Sequence, residues 1–586
     1  MLTRRELLSG AATATSGLLA AAATRRKTHP NIVVILTDDQ GWGDLSFNGN
    51  TNLQTPNIDS LGRDGASFDR FFVCALCAPT RAEFLTGRYH PRGGVRGVST
   101  GLERLNLDEH TIAQTFGAAG YATGAFGKWH NGSQAPYHPN SRGFDEYYGY
   151  TSGHWAHYFD TQMDHNGEMV RGKGYMPDDL TDHAMAFIEQ HADKPFFCYL
   201  PLNTPHSPMQ VPGKYFDKFA NYEPAMKATD PKLEEVGMTR AALAMVENID
   251  WNVGRLLAKL KQRKLEKDTI VLFFCDNGPN SWRWNGGMKG RKGSVDEGGV
   301  RAPLFIRWPQ KIATASVVKQ IAGAIDLLPT LADLAGIPLK SVKPLDGKSL
   351  AALLFTNSAA WPDRRIFSLN GNRVSVRTQQ YRLDADGKLF DMVADGGQTR
   401  NVADQYPEVA TKLRTAVADW RREVMTQTGA DTRPFPVGHS RVTYLPARDG
   451  EATGGVKRSN TAPNSSFFTN WTSVDDRIFW NVEIAQAGEY EAELHYTSPK
   501  AGSRIELALG ESRLVATVDV AHDPAPFGMK EDRFPRDTES YAKDFRVLKL
   551  GTIQFAAVRG RLELRAVTIA SPTVADVRYL VLRRRQ

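Results

Sequence analysis

Four apolar runs in this chain each end on side chains able to do chemistry. "NIVVILTDD" ends on Asp38 and Asp39, and "ATGAFGKWH" on Lys128 and His130. "PFFCYLPLNTPH" ends on His206, and "TIVLFFCDNG" carries Asp276 and Asn277. The aspartates and the asparagine are oxygen donors. They suit a hard cation such as Ca²⁺ or Mg²⁺, whereas zinc wants nitrogen or sulfur. The histidines and the lysine add acid–base capacity and positive charge. A polar residue after one strand is an ordinary turn former. Four such ends, all carrying ligand or acid–base groups, point to one shared site. A fifth stretch, "VCALCAPTRAEFLTGR", holds Cys74 and Cys77. A Cys-x-x-Cys zinc clip needs a second ligand pair at suitable spacing, which the chain lacks. A redox pair lacks thioredoxin-like surroundings, and a thiolate suits a hard cation poorly. Spacing alone leaves the role of Cys77 open.

The elements around these residues explain how they meet. Ile32 to Leu36 reads as a buried strand, and so do the runs containing Cys198 and Cys275, two small core residues. "HTIAQTFGAAGY" has helical spacing at Ile112, Phe116 and Ala119, with Asp108 as the expected N-cap and Gly120 as the stop. "LAMVENIDWNVGRLLAKLKQR" is an amphipathic helix. Strands alternating with helices predict an α/β fold, with a mostly parallel sheet covered on both faces. In such sheets ligands bind outside the carboxyl ends of the strands, where the polar groups lie.

After Ile366 the texture changes. "VRTQQYRLDADGKLFDM" predicts short antiparallel strands around the Asp386-Gly387 turn, and "YPEVATKLRTAVADWRREV" an amphipathic helix. Beyond a Pro/Gly-rich loop the chain is β-like to its end. Tyr490, Ala492, Leu494 and Tyr496 alternate with Glu491, Glu493 and His495, as in a half-buried strand of a sandwich. The expected domains are a signal segment at 1–27, a catalytic α/β domain at 28–360, a small α+β subdomain at 361–430 and a C-terminal β-sandwich at 440–586.

Hydrophobic residues make up 41% and charged residues 23%, which excludes a disordered chain and provides for a large core. The net charge of +7 is scattered, and no aromatic-basic module suggests nucleic acid. Four cysteines in 586 residues exclude a disulfide scaffold. The start, "MLTRRELLSGAATATSGLLAAAA", places Arg4 and Arg5 before an Ala-rich apolar run with small residues near Ala22 and Ala23. It reads as a bacterial export signal of the twin-arginine type, and no other run is long enough to span a bilayer. The expected location is periplasmic or secreted.

Cys77-Ala78-Pro79-Thr80-Arg81 resembles the Cys-x-Pro-x-Arg signature of the type I sulfatases, within the alkaline-phosphatase superfamily. The resemblance runs from about Pro30 to Val424. It takes in "VVILTDDQGWGD", "GYATGAFGKWH", "PHSP", "CDNGP" and "GRKGSVDEGGVRAP", in order. It implies an alkaline-phosphatase-like fold and conversion of Cys77 to formylglycine (3-oxoalanine) by a dedicated maturase. The hydrated aldehyde would attack sulfur through one hydroxyl and expel the alcohol. Its second hydroxyl would then lose a proton to His130 as sulfate leaves. His206 would be the general acid. Asp38, Asp39, Asp276, Asn277 and an oxygen of residue 77 would bind Ca²⁺, with Mg²⁺ as the alternative. Lys128 and Lys292 would hold the sulfate, and Arg81 would steady the formylglycine. The family pattern of Lys-Gly, three residues and Glu-Gly-Gly selects Lys292 over Lys289, which reads with Arg291 as solvated surface.

"HPNSRGFDEYYGYTSGHWAHYFDTQMDH" follows the second signature and offers Arg142, His154, Trp155 and His157 as contacts to the leaving group. Trp471 and Trp480 read as sandwich core, with sugar platforms as the alternative. Export and a possible sugar-binding domain together point to sulfated poly- or oligosaccharide. Competing readings are a phosphodiesterase or phosphonate monoester hydrolase of the same superfamily, an arylsulfatase for small aryl sulfates, and a binding protein with an inactive catalytic domain.

Overall fold

The computed structural model describes residues 29–341, 343–355, 361–426, 429 and 431–585. The expected signal segment lies outside them. The centre is a ten-stranded sheet. In chain order its strands are β1 (Asn31–Thr37), β2 (Ala66–Phe68), β3 (Ala122–Lys128), β4 (Glu146–Tyr150), β5 (Gln162–His165), β6 (Glu168–Arg171), β7 (Phe196–Pro201), β8 (Thr269–Cys275), β9 (Leu304–Arg307) and β10 (Ser316–Val318). Across the sheet they run β10-β2-β9-β8-β1-β7-β3-β4-β5-β6. The central strands β8, β1, β7, β3 and β4 are all parallel. Antiparallel pairs occur only toward the flanks, at β9, β5 and β6. This is the mostly parallel sheet expected from the alternation.

β1 shows why an apolar run with no polar alternation makes a strand here: every residue of Asn31–Thr37 is buried. Ile32, Val34 and Leu36 pack on one face with α2 (Cys77–Thr86), α3 (Ile112–Ala118) and α6 (Leu327–Ala335). Val33 and Ile35 pack on the other with α1 (Pro56–Arg63), α4 (Met176–Gln190) and α5 (Val236–Gln262). A strand covered on both faces gains by being apolar throughout, at roughly 1.5–3 kcal/mol for each large side chain buried.

The N-cap of α3 differs from expectation. Thr111, not Asp108, caps the helix: its hydroxyl accepts from the Gln114 amide, and the Gln114 side chain accepts from the Thr111 amide. This reciprocal pair satisfies two free donors at once, and Asp108 instead pairs with Lys343 at 2.7 Å. Gly120 follows the helix at φ +86°, as a stop residue does.

Strands Ile366–Asn370, Arg373–Arg377, Tyr381–Leu383 and Leu389–Asp391 form a small antiparallel sheet, with Leu383 opposite Leu389 across the Asp386-Gly387 turn. Helix Pro407–Val424 packs Ala410 and Leu413 against it. From Phe435 the chain builds two six-stranded sheets packed face to face. Tyr490, Ala492, Leu494 and Tyr496 point into the shared core. Trp471 and Trp480 are 0% exposed in that core. They contribute packing and present no face to a sugar. Among the described residues no helix is long and apolar enough to cross a membrane.

Candidate active site

The parallel strands deliver their terminal residues to one edge. β1 and β8 run in register from Asn31 opposite Thr269 to Thr37 opposite Cys275, so Asp38 and Asp39 emerge beside Asp276 and Asn277. β3 brings Lys128 to the same edge. Gly127 makes this approach sterically tolerable: it sits at φ +141°, and a Cβ there would lie 2.0 Å from the Pro201 carbonyl oxygen. α2 begins with Cys77 and is tied down by Thr80, whose hydroxyl donates to the Asp276 carbonyl at 2.5 Å. Ligand atoms of Asp38, Asp39, Cys77 and His206 lie within 4.8 Å of one another.

Charges of both signs are packed here out of water. Lys128 Nζ donates to Asp38 Oδ2 at 2.6 Å, and Lys292 Nζ to Asp39 Oδ2 at 2.8 Å. Arg81 reaches Asp276 Oδ2 at 2.7 Å and the Lys128 carbonyl at 2.8 Å. The Asn277 amide donates to Asp39 Oδ1 at 2.8 Å. Lys289 stays at the surface, 3.5 Å from Asp296. Burial alone would raise the Asp39 carboxyl, but Lys292, His206 and Lys128 outweigh it and hold the group well below the usual carboxylate range. Burial and the neighbouring Asp38 push Asp276 up. Burial pushes the Cys77 thiol up to about 12, so an unmodified cysteine stays protonated.

The donor set fits a hard cation. Asp38 Oδ1 and Asn277 Oδ1 are buried oxygens with no hydrogen-bond partner. A buried acceptor left unpartnered costs about 1–3 kcal/mol, and a cation ligated by these oxygens offsets that cost. Asp39 and His130 both take left-handed backbone conformations, φ +66° and +62°. Such strain in non-glycine residues is characteristic of functional sites.

Two histidines flank the cluster. His206 Nε2 lies 3.6 Å from Asp39 Oδ2, while its Nδ1 lies 2.7 Å from the Ser207 carbonyl oxygen and so carries the proton donated there. Burial lowers the imidazole to about 4, with Lys292 adding to the effect and Asp39 opposing it. His130 Nε2 is 2.7 Å from the Val98 carbonyl, and its Nδ1 is buried without a partner. Burial and then Lys128 hold it well below the ordinary histidine value.

The leaving-group candidates divide. His154 stacks on His206 with centroids 5.8 Å apart, and its Nε2 pairs with Ser465 Oγ at 2.9 Å. Trp155 stacks on Tyr150 and donates to Thr161. His157 packs edge-on against Phe527. Arg142 goes elsewhere: 3% exposed, it donates to the carbonyls of Asn106, Leu107 and Glu109. The structure ties it to the scaffold instead of to a substrate. Arg142→Ala is expected to lower stability by about 3 kcal/mol, because charged hydrogen bonds to buried carbonyls are lost. Denaturant unfolding measures that loss, and KM should stay within about twofold; a KM rise without destabilisation would restore Arg142 to the substrate site.

One residue was not legible in the sequence. Glu539, from the C-terminal domain, accepts a 2.5 Å hydrogen bond from Ser207 Oγ. The same oxygen lies 3.9 Å from both His206 Nδ1 and His154 Nδ1. No periodicity or motif marks it. The only sequence-level signal is a polar segment, 518–545, too long for a simple connection between sandwich strands.

Residues 30–337 match the family model described as Sulfatase. The chain belongs to the sulfatase family. As a type I sulfatase with an alkaline-phosphatase-like fold, it is a sulfuric ester hydrolase. Residues 291–423 also match the model for the C-terminal part of N-sulphoglucosamine sulphohydrolase. The chain is 32% identical over 406 residues to N-acetylgalactosamine-6-sulfatase of Mus musculus, covering 62% of this chain and 73% of that protein. It is 35% identical over 362 residues to arylsulfatase A of Homo sapiens, covering 56% and 68%. The solved structure of Ps i-CgsB in complex with k-i-k-neocarrahexaose is similar at 30% identity and TM-score 0.61, covering 67% of this sulfatase and 92% of that chain. Both family models end before the β-sandwich begins.

Proposed function

We propose that this sulfatase removes sulfate from sulfated carbohydrate, using formylglycine at residue 77 and a Ca²⁺ ion held by Asp38, Asp39, Asp276 and Asn277. The cluster of Asp38, Asp39, Cys77 and His206 within 4.8 Å carries the reading, since it sets oxygen ligands, nucleophile position and acid side by side. The Cys77 sulfur marks where the oxygens of the hydrated aldehyde would stand; that group supplies one hydroxyl to take the sulfuryl group and a second to release it. The ion would draw charge from the sulfate oxygens.

The chain's own residues do the rest. Lys128 and Lys292 each have three donors, so they can face the sulfate while keeping Asp38 and Asp39. Arg81 fixes Asp276. His130, with Nδ1 free of a partner, accepts the proton of the second hydroxyl. His206 holds its resting proton on Nδ1; the entering anion raises its proton affinity, as an opposite charge does, so that Nε2 takes up a second proton and gives it to the leaving oxygen. Carbohydrate as substrate is supported by relatives named N-acetylgalactosamine-6-sulfatase and by a similar structure in complex with k-i-k-neocarrahexaose. The paired arginines Arg4 and Arg5 support export in folded form, after modification by the maturase.

Sulfated oligosaccharides and matched aryl sulfate and phosphate esters provide the test. Free sulfate should appear from at least one oligosaccharide class and not with a Cys77→Ala control. A higher kcat/KM for the phosphate ester would favour the phosphodiesterase reading, and turnover of aryl sulfates alone would favour an arylsulfatase.

A further inference from the structure

The segment at 518–545 leaves the sandwich and returns to the catalytic domain. Gln210 donates to the Gly528 carbonyl at 2.9 Å and to Asp532 at 2.7 Å. The Arg533 amide donates to the Met209 carbonyl at 2.8 Å, and Arg536 to the Ala156 carbonyl at 2.7 Å. These bonds strap the segment across the loop that bears His206. Within the sandwich, Ser459 and Ser540 pair at 2.6 Å, and Asn460 donates to the Glu539 carbonyl at 3.2 Å. Glu539 is thereby held from both sides, 8% exposed, with Oε2 buried and unpartnered. Burying a carboxylate is costly unless hydrogen bonds offset it, and among the described residues the one side-chain bond to it is the Ser207 Oγ donation to Oε1.

We infer that Glu539 is a positioning residue for the general acid, so that the C-terminal domain completes the catalytic site. This rests on the assignment of His206 as acid. Glu539 Oε1 accepts from Ser207 Oγ, and the Ser207 carbonyl accepts from His206 Nδ1–H. Anchoring Ser207 fixes the ring, so that Nε2 faces Asp39 and the reaction. In the step served, the S–O bond to the leaving group breaks and its electron pair goes to the leaving oxygen, while sulfur would bond to the nucleophilic oxygen at residue 77. The Nε2–H bond breaks as the O–H bond forms. The other proton stays on Nδ1, donated to the Ser207 carbonyl, which leaves the neutral imidazole in the tautomer already held. Partners that orient a metal-ligating histidine change activity about 10–100-fold when removed, and a loss of that order is expected for Glu539, which orients His206 through Ser207.

The test uses the full chain and a series of aryl sulfates whose phenols span good to poor leaving groups. His206→Ala, Glu539→Ala and Glu539→Gln are compared. Proton donation matters more as the leaving group worsens. His206→Ala and Glu539→Ala should therefore lose little on the best leaving group, and Glu539→Ala about 10–100-fold on the worst. Glu539→Gln keeps the acceptor oxygen for Ser207 and should recover to within about threefold. Ser207→Ala breaks the same link from the other side and serves if Glu539→Ala does not fold. An equal loss across the series, or no loss, in Glu539→Ala overturns the inference while a graded loss in His206→Ala leaves the acid assignment standing. A flat series in His206→Ala removes both.

Discussion

Replacing Cys77 by alanine is expected to lower sulfate release by about 10⁴-fold or more, the scale on which a lost nucleophile is felt. The side chain sits at the start of α2 among Asp38, Asp39 and His206, with Lys128 and Lys292 nearby. Its thiol, pushed up to about 12 by burial, offers almost no thiolate near neutral pH, so an unconverted cysteine is a poor nucleophile as well as a poor calcium ligand. Cys77→Ser separates attack from release. A serine oxygen can take the sulfuryl group but has no second hydroxyl to expel it. Rapid-mix assays should show one equivalent of alcohol released and then a stall. Steady turnover by Cys77→Ser, or more than about a tenth of activity in Cys77→Ala, would place the nucleophile elsewhere.

Removing the divalent cation is expected to lower activity at least about 100-fold and to lower the melting temperature. The carboxyls of Asp38, Asp39 and Asp276 are fully buried together, and Asp38 Oδ1 and Asn277 Oδ1 lack hydrogen-bond partners. Calcium at a hundred times its Kd would stabilise the fold by about 2.7 kcal/mol. With an unfolding entropy of about 2.1 cal/mol/K per residue, a catalytic domain of this size shifts about 1–2 °C per kcal/mol, so the expected change is roughly 3–5 °C. Calcium added back should restore both readouts. Asp38→Asn should abolish the thermal shift, because it would neutralise one of the charges proposed to bind the cation. A melting temperature indifferent to chelator and calcium would contradict a cation at this site, whatever the activity does.

The sequence made the strand ends legible because burial on both faces demands apolar runs. Asp38, Lys128, His206 and Asp276 stand out because each interrupts such a run or follows it closely. The Glu539 contact was not legible for the opposite reason. It joins residues 332 positions apart through a segment with neither helical nor strand periodicity. The cap of α3 went to Thr111 because a threonine three residues before a glutamine makes a reciprocal pair that Asp108 cannot. Arg142 and the two sandwich tryptophans have side chains that suit either ligand or scaffold, and only their surroundings decide. Arg142 is surrounded by backbone carbonyls, and Trp480 donates to the Pro446 carbonyl inside the core.

Whether residue 77 acts as formylglycine is read from the mass of the peptide Phe71–Arg81, taken from active protein of the native host. The peptide carries its own control, since Cys74 is buried, bound to Thr80 through its amide, and should remain a cysteine. Conversion replaces the thiol-bearing carbon by an aldehyde, a loss of H₂S and a gain of one oxygen, at position 77 alone. That mass, or its hydrate, is expected in the active fraction. Fully active protein carrying only unmodified cysteine at position 77 would contradict it.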